Sequence, residues 1–380
     1  MYDFTTPAAQ HVADSLKWRK YAGRDVLPLW VADMDFLSPP AITEALAARV
    51  AQGIFAYGEP TETAVGALLA ASLRDYGWAI EPAWLVPLPG LVTGLNVACR
   101  ASGDGDVITA TPIYPPFMSA PQFAGRKLVK LPLRETRRDT GSHWEWDFDA
   151  LEAAATRGAT LMLCHPHNPV GRQWTPAELA RLGEIAERHD LTVISDEIHC
   201  DLLLEPGARH TPFAAISPEL AARTITLMAP SKTYNVPGLG CAFAVIPNAE
   251  RRHAFQKSMR GIVPHVNLLG YVALEAACRD GAAWRNALLS VLRSNRDEVV
   301  RALDGVQGLR VTVPQATFLA WIDCRDTGLQ HPQHFFEQAG VGLSDGADFG
   351  APGFVRLNFG CPRATLDSAL ARMRAALSRL

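Results

Sequence analysis

Two residues of this chain stand out as chemically useful in type and place, a lysine and an aspartate. Lys232 lies in Ala229-Pro230-Ser231-Lys232-Thr233, directly after the apolar run 225–228, and Asp196 closes a similar run, 191–195. An amine and a carboxylate, each delivered by a buried strand, are the two anchors that pyridoxal phosphate chemistry requires. The amine forms a Schiff base with the cofactor aldehyde, and the carboxylate keeps the ring nitrogen protonated so that the ring accepts carbanion electrons. Taken singly, each residue has a plainer reading: a lysine after a strand is usually solvated, and an aspartate there usually caps a helix.

Other polar loop segments supply what such a cofactor and its substrate need. Gly90, in Leu88-Pro89-Gly90-Leu91-Val92, precedes a helical pattern, and a glycine at a helix start leaves backbone N–H groups free for a phosphate. Tyr114, in a proline-rich loop after the run 107–110, could stack on a planar ring or lie on the surface. Asn168 is presented by His165-Pro166-His167-Asn168-Pro169-Val170-Gly171, whose prolines and glycine fix an irregular backbone. His199 lies on the same turn as Asp196, in Asp196-Glu197-Ile198-His199. Arg356, on the apolar run 354–358, suits bidentate binding of a carboxylate, or pairing with a structural acid.

Strands and helices must place these loops. Short β-rich runs at 107–110, 160–164, 191–195 and 225–228 alternate with helical patterns, which implies a mainly parallel sheet covered on both faces. Leu179, Leu182, Ile185 and Ala186 repeat at helical spacing behind Thr175 and Pro176, a crossover helix over 176–189. A further strand is expected at 241–246 and helix over about 263–300. Strands at 310–313, 318–323 and 354–358, with an amphipathic helix over 364–380, make a smaller α+β domain, on which the N-terminal segment through Pro40 packs. The expected division is a large cofactor domain at 42–285 and a small domain from 1–41 and 286–380. Ligands of such sheets gather at the carboxyl ends of the strands, where the polar loops fall.

Composition narrows the class. The 380 residues are 48% apolar and 20% charged with a net charge of −3, so a sizeable core is available and no basic stripe suits nucleic acid. No apolar stretch approaches the length of a membrane helix. Seven scattered cysteines without a Cys-x-x-Cys pair read as reduced core residues of a cytoplasmic protein, with no structural zinc.

The ordered motifs Pro-Gly-Leu-Val, Ile-Tyr-Pro-Pro-Phe, Pro-His-Asn-Pro-Val-Gly-Arg, Ser-Asp-Glu-Ile-His, Ala-Pro-Ser-Lys-Thr and Val-Arg-Leu-Asn resemble those of fold-type I pyridoxal phosphate enzymes of the class I/II aminotransferase superfamily. Leu29-Trp30-Val31-Ala32-Asp33-Met34-Asp35-Phe36, the Asp196 to His199 run and Cys361-Pro362-Arg363 are similar to the MalY/PatB-type cystathionine β-lyases. The resemblance implies that Lys232 is the covalent anchor of pyridoxal 5′-phosphate and Asp196 the partner of its ring nitrogen. Asn168 would bond the ring oxygen with His199 beside it, and Tyr114 would stack on the ring. Gly90, Leu91, Val92 and Ser231 would hold the phosphate, together with Tyr57 reaching in from the second subunit of a homodimer. Arg356 would take the α-carboxylate of an amino-acid substrate, with Ala32 and Asp33 lining the same end.

The sequence departs from that pattern at Phe55-Ala56-Tyr57-Gly58, in the loop Asn235 to Gly240, and at Cys200, all of which bear on substrate shape. The implied activity is α,β-elimination from cystathionine or related cysteine S-conjugates, giving thiol, pyruvate and ammonia. Transamination with a 2-oxo acid would use the same residues. Readings from other classes are a metal hydrolase built on His165, His167, Asp196, Glu197 and His199, which leaves Lys232 and Arg356 unused, and a binding or regulatory protein.

Overall fold

The computed structural model describes residues 2–6, 14–138 and 141–380. Its main sheet has seven strands: β1 (Leu85–Leu88), β2 (Val107–Thr111), β3 (Leu128–Pro132), β4 (Thr160–Cys164), β5 (Thr192–Asp196), β6 (Thr224–Met228) and β7 (Ala242–Val245). Their spatial order is β1-β7-β6-β5-β4-β2-β3. Neighbours from β6 through to β3 are parallel, and β7 is antiparallel to both β1 and β6. Strands β2, β4, β5 and β6 are buried at every position, which is why they read as continuous apolar runs rather than as alternating ones.

Helices cover both faces. Leu161, Leu163 and Val193 pack with Leu179, Leu182 and Ile185 of α2 (Pro176–Arg188), whereas Met162 and Ile194 pack on the opposite face with Leu91, Leu95 and Val97 of α1 (Leu91–Ala101). Thr175 and Glu178 close a capping box at the start of α2, an arrangement whose loss costs about 1 kcal/mol.

Two strands of the main sheet, β1 and β3, were not expected from the sequence. Both lie at sheet edges and contain proline, features that resemble loops locally. The helical stretch expected over 263–300 is two helices, α3 (Leu268–Asp280) and α4 (Ala282–Leu303). Asn267 caps the first, its side chain accepting from Gly270 N–H at 2.8 Å. They part at Gly281, where a Cβ would come within 2.5 Å of both the Ala277 carbonyl and the Tyr234 ring.

The C-terminal sheet is antiparallel, in the order β8 (Arg310–Thr312), β9 (Leu319–Asp323), β11 (Phe354–Asn358), β10 (Ser344–Asp345). Its apolar face shares a core with α4 and with α5 (Arg363–Leu377) through Val311, Val355, Leu292, Val299, Leu370 and Met373. Leu27–Pro28 pairs in parallel with Val341–Gly342, fastening the N-terminal segment to this C-terminal part.

From β2 the chain passes outward to β3, then returns to the other side of β2 for β4, β5 and β6. The reversal opens a crevice between the carboxyl ends of β2 and β4, where ligands of doubly wound sheets bind. Tyr114 and Asn168 meet there, the Tyr114 N–H donating to the Asn168 carbonyl at 3.2 Å.

Candidate active site

A cavity of about 460 Å³ opens at these strand ends. Lys232, Asp196, Tyr114, Asn168, His199, Ser231, Gly90, Leu91, Val92, Arg356 and Ala32, far apart in sequence, all line it. Tyr57 does not: it is fully exposed, in the stretch between two helices, Pro40–Ala51 and Glu62–Tyr76. Asp33 is placed behind the cavity wall, its Oδ1 3.8 Å from Lys17 Nζ.

The side chains of the cavity form one bonded set. Lys232 Nζ donates to the Ala32 carbonyl at 2.5 Å, and burial lowers its pKa to about 8 against the pull of the Asp33 charge. Asp196 accepts a hydrogen bond from Ile198 N–H at 3.1 Å, while burial pushes its carboxyl up to about 7. A buried carboxylate so raised is a site for a cation. His199 is buried, and burial together with the Lys232 and Arg356 charges lowers it to about 3, so its ring is neutral. Its Nδ1 has no hydrogen-bond partner among the described residues.

Arg356 is pulled down to about 10 by burial and remains a cation at neutral pH. Its guanidinium donates to Asn168 Oδ1 at 3.0 Å, to the Trp30 carbonyl at 2.9 Å and to Ser344 Oγ at 3.3 Å, and it lies 4.6 Å from the Phe349 ring centre. Occupying the Asn168 oxygen in this way leaves the amide NH₂ as the group that can donate into the cavity.

Several positioning residues carry no plain signal in the sequence. Asn358 donates to the Val31 and Asp33 carbonyls at 2.7 and 2.6 Å, and Asn235 to the Met34 and Phe36 carbonyls at 2.9 and 2.7 Å. Lys17 is buried in an ion pair of 2.9 Å with Asp35 and also donates to the Asp33 carbonyl at 3.2 Å. These bonds hold residues 30–36 as a strap across the cavity.

The residues of the hydrolase reading are dispersed. His165 and His167 turn to the backbone carbonyls of Thr211 and Pro112, and Glu197 bonds His210, Ser195 and the Phe213 N–H. Among the described residues no group of three or more His, Cys, Asp or Glu side chains is placed to hold a metal ion.

Residues 24–373 match the model of the aminotransferase class I and II family, and the chain belongs to that family. It is 37% identical over 379 residues to cystathionine β-lyase PatB of Bacillus subtilis strain 168, covering 96% of this chain and 97% of that one. Among solved structures it is similar to OvoB, at 48% identity and a TM-score of 0.92 over 96% of each chain. It is also similar to cystalysin of Treponema denticola with its pyridoxal 5′-phosphate, at 32% identity and a TM-score of 0.94 over 100% of this chain and 99% of that one. The fold is that of fold-type I pyridoxal phosphate enzymes, and pyridoxal 5′-phosphate is the cofactor.

The cavity fits that group. Helix α1 begins at Gly90 without any side-chain cap, and a Cβ added at Gly90 would meet only open space, so the first N–H groups of the helix are open to a phosphate. Asp196 offers the counter-charge for a protonated ring nitrogen, Asn168 an amide donor for a ring oxygen, and Lys232 an amine for the aldehyde.

Proposed function

We propose that this protein is a pyridoxal phosphate-dependent carbon–sulfur β-lyase acting on cystathionine or related cysteine S-conjugates. What supports the reading is Lys232 and Arg356 lining one cavity with a buried Asp196, in a chain similar along nearly its whole length to a cystathionine β-lyase. When bound, the cofactor supplies an electron sink for the carbanion at the substrate α-carbon. Arg356 binds the α-carboxylate through guanidinium N–H groups and so directs the Cα–H bond toward Lys232. Lys232, with a pKa near 8, removes that proton. The Cβ–S bond then breaks, sulfur leaving with the bonding pair as a thiolate that takes up a proton. With one water consumed, the products are thiol, pyruvate and ammonium. Asp196 holds the ring nitrogen charged throughout, and the neutral His199 closes the cavity floor.

We also infer a homodimer with shared sites. Ile54, Phe55 and Tyr57 are exposed by 68, 62 and 102% on one short segment, an apolar surface that a second copy would cover, with Tyr57 completing the phosphate site of its neighbour. The seven cysteines are free and buried, as suits the reducing cytoplasm.

The test gives the purified holoenzyme cystathionine without any 2-oxo acid and follows thiol and pyruvate. Both should appear in equal amounts over many turnovers. Amino transfer to an added 2-oxo acid, with no thiol released from any S-conjugate, would overturn the lyase reading in favour of an aminotransferase.

A further inference from the structure

With the α-carboxylate on Arg356 and the α-carbon at Lys232, the sulfur substituent has only one direction in which to extend. The cavity floor is closed by Cys164, Asp196 and His199, all buried, so the substituent points to the mouth. Four charged side chains line the cavity: Asp196, Lys232, Arg356 and Asp348. The first three are engaged by hydrogen bonds within the protein, and each has a part in holding cofactor or substrate. Asp348, exposed in the turn Gly346–Phe349, has neither an ion-pair nor a hydrogen-bond partner among the described residues.

Its surroundings fix its place without neutralising it. The turn is anchored to the sheet domain by Ile113 N–H, which donates to the Phe349 carbonyl at 3.0 Å, and the neighbouring Asp345 spends its carboxylate on capping Ala347 N–H at 3.0 Å. Phe349 itself packs beneath Arg356. Lys20 is stacked on the Trp30 ring, 4.5 Å from its centre, and does not line the cavity. Once cofactor and α-carboxylate are bound, the one uncompensated charge that the described residues of this chain turn to the substituent is negative.

We propose that Asp348 is a specificity-determining residue that selects cysteine S-conjugates whose sulfur substituent carries a positive charge, an ammonium or a comparable cation. The inference rests on the lyase reading of the site. Its contribution is that of a rim charge: a pair partly open to water gives a preference of about three- to fivefold, weakening as salt is added.

The test compares three substrates of similar size on the holoenzyme: S-(2-aminoethyl)-cysteine, S-propyl-cysteine and S-(2-carboxyethyl)-cysteine. The wild-type ratio of kcat/KM for the aminoethyl over the propyl substrate should exceed one and fall with ionic strength. Asp348→Asn should lower that ratio about three- to fivefold, carried by KM. Asp348→Lys should turn the preference toward the carboxyethyl substrate, a reversal that loss of packing alone would not produce. Thiol and pyruvate released with the same substrate ratios in all three proteins would overturn the role of Asp348 and leave the lyase reading standing. No thiol from any of the three, nor from cystathionine, would overturn both.

Discussion

The two walls of the cavity are held in different ways. One is built at the ends of β2, β4, β5 and β6, strands buried at every position, with Asp196 closing β5 and Tyr114, Asn168 and Lys232 in the loops that follow the other three. The other consists of Ser344 and Arg356 on β10 and β11, the turn bearing Asp348, and the strap 30–36, and the strap is tied by side chains reaching to its backbone carbonyls: Asn358 to Val31 and Asp33, Asn235 to Met34 and Phe36, Arg356 to Trp30. A parallel ladder cannot shift one residue without disturbing its neighbours, whereas a side-chain tie can be re-made. The first wall therefore suits bond making and breaking, the second substrate recognition. Lesions in the first should fall on kcat and in the second on KM.

The strongest challenge to that division is Lys232→Ala. It removes the amine that holds the cofactor covalently and takes the α-proton, so turnover should vanish while the far-ultraviolet circular dichroism is retained; measurable steady turnover would refute the assignment. The same lysine gives a pH signature. Its neutral form attacks the cofactor aldehyde, and with a pKa near 8 the neutral fraction drops about tenfold per unit below that value. Loading of apoprotein with pyridoxal phosphate, followed by absorbance, should speed up as pH rises through 8 and then level off. A rate that is flat or falls across this range would show that the amine is not the titrating group.

Next in size is Asp196→Asn. The amide oxygen can keep the bond from Ile198 N–H, so the fold survives, but the counter-charge for the ring nitrogen is lost. Electrostatic stabilisation of this kind is worth about 3–4 kcal/mol, which predicts a fall in kcat of roughly 10²- to 10³-fold with little change in KM. On the recognition wall, Arg356→Ala should raise KM and reduce kcat/KM by about 10- to 150-fold, the equivalent of 1.5–3 kcal/mol for a charged hydrogen bond. A loss confined to kcat would erase the distinction between the walls.

The same contrast governed what could be read from the sequence. Residues after long buried strands announce themselves, because an apolar run ending in Asp196 or followed by Lys232 has few explanations. The edge strands β1 and β3 stayed hidden because each contains a proline, and β3 also has exposed positions, so they look like loops. Lys17, Asn235 and Ser344 stayed hidden for another reason: each ties the strap through a carbonyl, a group every residue has, so nothing in the type or spacing of that partner marks the contact. Ser344 Oγ donates to the Trp30 carbonyl at 2.7 Å across 314 residues, and no local pattern foretells it. Asp33 was assigned to the cavity from its motif, yet it faces Lys17 because the strap turns at Ala32 to meet Lys232.

The smallest expected effect on activity, and the sharpest test of how the strap is held, comes from the buried pair Lys17–Asp35. Lys17 is 1% and Asp35 5% exposed, and Trp18 Nε1 also donates to Asp35 at 3.2 Å. Lys17→Met leaves that carboxylate buried beside the neutral thioether, which should cost about 3–5 kcal/mol of stability in urea unfolding. Replacing both members, Lys17→Met with Asp35→Leu, removes the stranded charge, and the half-exposed Trp18 indole can turn to water, so most of that stability should return. Activity should follow a different course. Both proteins lose the bond from Lys17 to the Asp33 carbonyl, a loss of about 1 kcal/mol in strap placement that predicts a roughly fivefold rise in KM with kcat nearly unchanged. If KM recovered together with stability in the double variant, the pair would be a stability element alone; a KM that stays raised in a restabilised protein identifies Lys17 as the residue that sets the strap.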